Sequence, residues 1–230
     1  KGIFHADSVL CADELHGTHV TGIIAGRRKS SILGPWGDTE IKGVAPAAEI
    51  LYRKWGLLDF QAFKNAGAKI SNHSYSFGFL GKDVFSYDSN CKNFDGYCDN
   101  DDMVLIISAG NNDPAAIPSP ANAKNVITVG AISYVPEGTP DIGKVAWYSD
   151  WGPTRDDKRL KPDLVAPGGG DNITEGVVST NSNPWDLTDK GLGKGKIDNN
   201  YTEPEWETDD NYIRASGTST AAPHVAVVCA

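Results

Sequence analysis

No apolar run in this chain approaches the roughly 20 residues that a membrane-crossing helix needs. Basic charge is in short supply: 21 Lys and Arg stand against 30 Asp and Glu, a net charge of −9. That balance argues against nucleic acid and against an anionic membrane surface as partners, since both are polyanions. Cysteine is scarce, with four in 230 residues, too few for a disulfide scaffold. No CxxC pair or HxxxH helix accompanies them, so zinc is not expected. Cys91 and Cys98 bracket a polar stretch and are placed to close a small ring, whereas Cys11 and Cys229 have no evident mates. This usage points to an oxidising compartment. No signal peptide opens the chain, which excludes nothing for a chain that starts inside a longer one. Internal repeats are absent too. What is plentiful is glycine, 25 residues, and proline, 13, the composition of a chain with many loops. The length suits one domain with a buried core.

The rest is organised around Ala215-Ser216-Gly217-Thr218-Ser219-Thr220-Ala221-Ala222-Pro223-His224. The stretch predicts a loop, a tight turn at Gly217 and a helix. Ala221, Ala222, Val225, Ala226, Val227 and Val228 are small and apolar, so burial of that helix is expected. Ser219 then falls at or near a helix N-terminus, among unpaired amides and at the positive end of the dipole. A hydroxyl there can attack a carbonyl, and its own backbone N–H can hold the oxyanion that results. Alone, such a serine reads as an N-cap on a core helix. Two other stretches supply partners.

The first is Leu15-His16-Gly17-Thr18-His19-Val20-Thr21-Gly22-Ile23-Ile24-Ala25-Gly26. Val20, Ile23 and Ile24 recur at helical spacing, and Gly22 and Gly26 would let the helix pack close to a neighbour. His16 stands at its entrance. A lone histidine there is usually solvated, yet its pKa near neutrality also suits a general base. His16 and His19 lack a third ligand, so no metal site is expected. The second is Met103-Val104-Leu105-Ile106-Ile107, a strand covered on both faces, ending in Ser108-Ala109-Gly110-Asn111-Asn112. Active groups of open parallel sheets gather at the carboxyl ends of strands. Asn111 is thus placed to donate to a substrate oxygen, although an ordinary turn is the commoner use of Asn after Gly.

Between these, residues 49–55 predict a strand, 60–68 a helix and 68–78 a strand ending in a small-residue loop. Residues 125–132, 161–168 and 177–180 predict further strands. The alternation implies a parallel sheet of βαβ units, an α/β fold. Residues 81–102 hold Asp83, Asp88, Asp95, Asp99, Asp101 and Asp102. A calcium loop is one reading, but the EF-hand spacing is missing and a solvated surface loop is expected. Residues 181–212 read as a long polar excursion.

Three stretches, taken together, resemble signatures of the subtilisin-like serine proteases, the subtilases, and occur in that family's order. They are His16-Gly17-Thr18-His19-Val20-Thr21-Gly22, Ser108-Ala109-Gly110-Asn111 and Gly217-Thr218-Ser219-Thr220-Ala221-Ala222-Pro223-His224. Gly43-Val44-Ala45-Pro46, Val129-Gly130-Ala131 and Lys161-Pro162-Asp163-Leu164-Val165-Ala166-Pro167-Gly168 are similar to other family segments, so the resemblance covers essentially residues 1–230. It implies a three-layer α/β fold and a serine endopeptidase acting on protein or peptide substrates. Ser219 would be the nucleophile, His16 the base, and Asn111 with the Ser219 N–H the oxyanion donors. It further implies that Ser74-Tyr75-Ser76 pairs with extended substrate backbone. Ser108, Ala109 and Gly110 would form the opposite pocket wall, with Pro118 near its base. Structural calcium, with no ligands assigned, a pro-peptide inhibitor and a secreted location are implied as well.

The chain departs from the family pattern in two places. The family's triad aspartate lies on a strand well before the histidine, and Asp7 and Asp13 are too close to His16 to fill that role. Val227 stands where glycine is common, and the closing helices are missing. The expectation is a partial catalytic domain over residues 1–230, weakly active or inactive alone. The competing readings are a catalytically silent peptide-binding module of the same fold, using residues 74–76 for β-augmentation, and an acyl-transferring peptide cyclase.

Overall fold

The computed structural model describes residues 15–27, 32–34, 37–39, 42–52, 60–76, 85–112, 116–133, 143–170, 176–180 and 212–229. The chain divides into two compact units, Lys1–Leu58 with Val177–Ala215 and Asp59–Gly176 with Ser216–Ala230.

In the first unit the longest element among the described residues is helix α1, Leu15–Ala25. A hairpin of β1 (Ile32–Gly34) and β2 (Gly37–Thr39) is antiparallel. His19, Val20 and Ile23 form the buried stripe of α1, at the three-to-four spacing of one helix face. That face rests on strand β7, Val177–Thr180. Gly22 is what permits the approach. A Cβ there would collide with the Ser179 and Thr180 hydroxyls, which donate to the carbonyls of His19 at 2.7 Å and Thr18 at 2.8 Å. The far end of α1 leaves carbonyls unpaired, as every helix does. Gly43, Val44 and Ala45 donate to Gly26 O, Ile23 O and Ile24 O at 2.9, 2.9 and 2.8 Å. The Gly43-Val44-Ala45-Pro46 segment therefore serves as a cap for α1. Residues 49–52 join no β-ladder, contrary to the strand expected from residue 49, and the remainder of that expected strand lies outside the described residues.

The second unit is built on a four-stranded sheet of β3 (Ile70–His73), β4 (Val104–Ser108), β5 (Ile127–Ile132) and β6 (Leu164–Pro167), in that order and parallel throughout. Strand β7, Val177–Thr180, belongs to the first unit and pairs antiparallel with β8, Tyr212–Ala215, in the same unit. Among the described residues of the second unit three helices flank the sheet: α2 (Phe60–Asn65), α3 (Ser89–Asp101) and α4 (Thr218–Val228). Ile106 of β4, Val129 and Ala131 of β5 and Ala166 of β6 form one buried cluster with Ala221, Ala222, Val225 and Ala226 of α4. Alternate strand residues point to opposite faces. Ile107 therefore faces away from α4, as does its register partner His73. On that side His73 stacks on Phe60 of α2, with centroids 5.6 Å apart, and meets Phe94 of α3 edge-on at 4.9 Å. With helices on both faces, β4 is buried from Leu105 to Ser108, which is why it reads as a continuous apolar run. The expected α/β layering is present in this unit. Burial of α4 stops before its last turn, where Val228 is 84 % exposed, contrary to expectation.

The acidic stretch at residues 81–102 needs correction. Its second half is the helix α3, not a loop. Asp88 caps it, its side chain accepting the Cys91 N–H at 3.0 Å. Cys91, Phe94 and Asp95 turn inward. Cys91 and Cys98 are free thiols seven positions apart on this one helix, so no small ring exists. Burial pushes the Cys91 thiol up to about 11. Asp95 accepts from the Tyr87 hydroxyl and from the backbone N–H groups of Lys124 and Asn125, and Asp101 pairs with Lys64 at 2.7 Å. Among the described residues no group of three or more His, Cys, Asp or Glu could hold a metal ion.

Candidate active site

The second unit gathers Ser219, Asn111, Ser74, Gly110 and Pro118. Gly217 is the N-cap of α4 and offers no side chain to cap it. Asn111, exposed at the end of the turn after β4, performs that task from a distance. Its Oδ1 accepts the Thr218 N–H at 2.8 Å and the Thr218 hydroxyl at 2.9 Å. Both partners are donors, so the atom facing them is the oxygen, an assignment that rests on the hydrogen-bond network. The Asn111 Nδ2 is thereby directed away from Thr218.

Ser219 lies in the first turn of α4, so its N–H is among the four that find no acceptor inside the helix. A Cβ on Gly217 would stand 3.4 Å from Asn111 Nδ2 and 3.7 Å from Ser219 N. The bare glycine leaves the space between two N–H donors unfilled. Pro223, inside α4, has no N–H to offer the carbonyl four residues earlier. That carbonyl belongs to Ser219. The Ser74 hydroxyl replaces the missing donor at 2.8 Å, and the Ser219 hydroxyl donates to Ser74 O at 3.3 Å. A proline one turn along the helix thus ties the serine to the segment after β3.

The turn that carries Asn111 is held from two sides. The Gly110 N–H donates to Thr218 Oγ1 at 3.1 Å. Its carbonyl accepts the Asp150 N–H at 2.9 Å. Asp150, wholly buried, accepts the Asn112 N–H at 2.7 Å and the Asn112 side-chain N–H at 2.8 Å. Gly110 adopts φ +112°, which a side chain resists, and a Cβ there would collide with the Asp150 carboxyl group. Pro118 is packed against the same point, its Cγ 3.2 Å from it.

Of the residues expected to contact substrate, Ser74, Ser108, Ala109, Gly110 and Pro118 are buried, and Tyr75 and Ser76 are half-buried. Residues 74–76 directly follow β3, the outer strand of the sheet among the described residues, and join no ladder there. The Tyr75 hydroxyl lies 2.8 Å from His73 Nδ1. Burial pushes the His73 imidazole down to about 3 and raises the Tyr75 phenol. His73 Nε2 and Asn72 Oδ1 are buried without a partner among the described residues. Burial also lowers His224, against the opposing pull of the Thr220 carbonyl that its Nδ1–H reaches at 2.9 Å.

His16 belongs to the first unit, half-buried and one residue into α1. His19, the second histidine of that motif, is 1 % exposed and its Nε2–H donates to Val177 O at 3.0 Å, a structural role. Asp7 and Asp13 lie outside the described residues. Three residues of this site carry no role in the sequence reading: Thr218, Pro223 and Asp150. The first two sit inside the Ser219 motif, where a missing N–H at Pro223 is a readable signal. Nothing local marks Asp150 as the acceptor for a turn 38 residues earlier.

Comparison with known proteins gives one direction throughout. The model of the family described as Peptidase_S8, Subtilase family, matches residues 7–230. The thermophilic serine proteinase of Bacillus sp. (strain AK1) is 27 % identical over 225 residues, 94 % of this chain and 41 % of that protein. The serine protease AprX of Bacillus subtilis (strain 168) is 32 % identical over 130 residues, 56 % of this chain and 25 % of that protein. Among solved structures, the prenylagaramide maturation protease PagA superposes with a TM-score of 0.57 at 24 % identity, covering 94 % of this chain and 62 % of that one. The chain therefore spans about two fifths of the first relative's length.

Proposed function

The chain belongs to the subtilase family, and from that premise we propose that the whole protein is a serine endopeptidase in which Ser219 is the nucleophile. The observation that carries this reading is the pair of N–H donors beside Ser219. Its own backbone N–H and Asn111 Nδ2 both lie within 4 Å of the point where a Gly217 side chain would begin. Donors fixed in this way stabilise charge that develops on a carbonyl oxygen, and they need no reorganisation at the moment of attack.

The steps follow from these groups. The Ser219 Oγ adds to the scissile carbonyl carbon, and its proton passes to His16, the base we assign to it. The carbonyl oxygen becomes an oxyanion held by Ser219 N–H and Asn111 Nδ2–H. Collapse of the tetrahedral intermediate breaks the C–N bond, and the amine leaves with the proton from His16. Water then adds to the acyl-enzyme by the same route, and Ser219 is regenerated. Residues 74–76, which follow the outer strand of the described sheet, are the segment against which an extended substrate backbone would lie. Relatives that are serine proteases disfavour the silent peptide-binding alternative.

A fluorophosphonate probe tests the assignment in the full-length protein. Its phosphorus bonds to the activated hydroxyl, and fluoride leaves. The expected result is one modified peptide, carrying Ser219, that is absent from the Ser219→Ala variant. A folded protein that neither labels at Ser219 nor cleaves a denatured protein substrate contradicts the proposal.

Alanine at Gly217 gives a second expected outcome. The new methyl group meets only ordinary van der Waals distances, so the fold survives and the melting temperature hardly moves. It fills the space between the donors, and kcat falls by about tenfold or more. Unchanged kcat in a normally folded Gly217→Ala variant would place the oxyanion elsewhere.

A further inference from the structure

Resting on the reading of Asn111 as an oxyanion donor, we propose that Asp150 is a positioning residue that sets the direction of the Asn111 carboxamide. Asn111 is exposed, and exposed asparagines in turns have freedom that a preorganised donor cannot keep. The residues on either side of it are fixed by Asp150. On one side the Asp150 N–H holds the Gly110 carbonyl at 2.9 Å. On the other, the two carboxyl oxygens accept the backbone and side-chain N–H groups of Asn112 at 2.7 and 2.8 Å. Asp150 is 0 % exposed, so its lateral movement is blocked by packing. The missing side chain of Gly110 is the space in which the carboxyl group lies.

Two clamps thus act on different parts of the turn. Thr218 selects which end of the Asn111 side chain faces α4. Asp150 determines where the backbone of that side chain stands, through the residue before it and the residue after it. Asn is the informative replacement for Asp150. It keeps the volume and turns one of the two acceptor atoms into a donor, opposite donors of Asn112. The turn can relieve that conflict only by moving Gly110–Asn112, and Asn111 moves with it.

The experiment is a double-mutant cycle on the full-length protein, with kcat and KM measured separately. Asp150→Asn is expected to lower kcat about tenfold to a hundredfold, the size of effect that an ångström-scale displacement causes, with KM changed less than about threefold. In an Asn111→Ala background the same change is expected to cost almost nothing further, because the group it positions is gone. Losses that multiply in the double variant, or a kcat within about twofold of normal in Asp150→Asn, overturn the proposal. Should Asn111→Ala itself leave kcat intact, the oxyanion reading fails and this proposal with it, an outcome separable from the previous two. If Asp150→Asn does not fold, Asn112→Ala replaces it. That change at an exposed residue removes only the side-chain bond, and a kcat loss of about threefold or more, again absorbed by Asn111→Ala, is expected. No loss there overturns the proposal.

Discussion

Replacing Asn111 by alanine is expected to lower kcat of the full-length protein about 10²–10³-fold while KM changes little. That is the size of effect that removing a single such donor has in subtilisin. The direction does follow from the geometry. Oδ1 is engaged by two Thr218 donors, so Nδ2 is the end available to a substrate oxygen. A donor that meets charge only in the transition state affects kcat and leaves ground-state binding alone. The same substitution removes the distant cap of α4, and a stability loss of about 1 kcal/mol should accompany it. Asn111→Asp separates the two effects. It preserves acceptors for Thr218, so the cap and the fold remain. It places an oxygen where the donor was, so activity falls at least as far. Steady-state kinetics with thermal melts on both variants check this, and activity within twofold of normal in either one defeats the assignment.

Acid destabilises the protein through His73. The imidazole is 2 % exposed, among Phe60, Phe94 and Tyr75, and burial lowers its pKa from 6.5 to about 3. The unfolded chain therefore binds a proton that the folded chain refuses, over the window between these values. Stability is complete above pH 6.5 and declines as pH falls. The loss is about 2 kcal/mol near pH 5 and approaches 4–5 kcal/mol near pH 3, against a typical total of about 5–15. The ring's neighbours are aromatic, and the buried Tyr75 phenol, its hydrogen-bond partner, stays neutral throughout this window. Urea unfolding near pH 7.5 and pH 5, in a Ser219→Ala background to prevent self-digestion, measures the effect. His73→Phe should flatten the pH response by about 2 kcal/mol. A response of equal size in both proteins means that other groups carry the acid sensitivity.

The strands and helices that the sequence makes legible are those with a strong local signal. Strand β4 announces itself because its residues are apolar on both faces. The start of α4 follows from a glycine, a run of small residues and the polar residues between them. Helix α3 is hidden because its inward stripe is short and mixed, with Cys91 and Phe94 apolar and Asp95 acidic. Only the cap, Asp88 three residues before Cys91, hints at it. Strand β8 is four residues long and owes its existence to pairing with β7, which no local pattern encodes. The site divides in the same manner. Ser219 and Asn111 are legible as residue types at element ends. Their supports are legible only in three dimensions, since Thr218 reaches Asn111 across 107 positions and Ser74 reaches Ser219 across 145.

The bond from Asn112 N–H to Asp150 bears on the chemical lifetime of the protein as well as on its rate. Asparagine side chains age when the next backbone nitrogen attacks their carbonyl carbon, closes a five-membered imide and releases ammonia. For Asn111 that nitrogen is Asn112 N. With its proton bound to a buried carboxyl group and its position fixed, it is neither free to lose the proton nor free to swing inward. The contact that holds the turn in shape thereby also keeps Asn111 an asparagine.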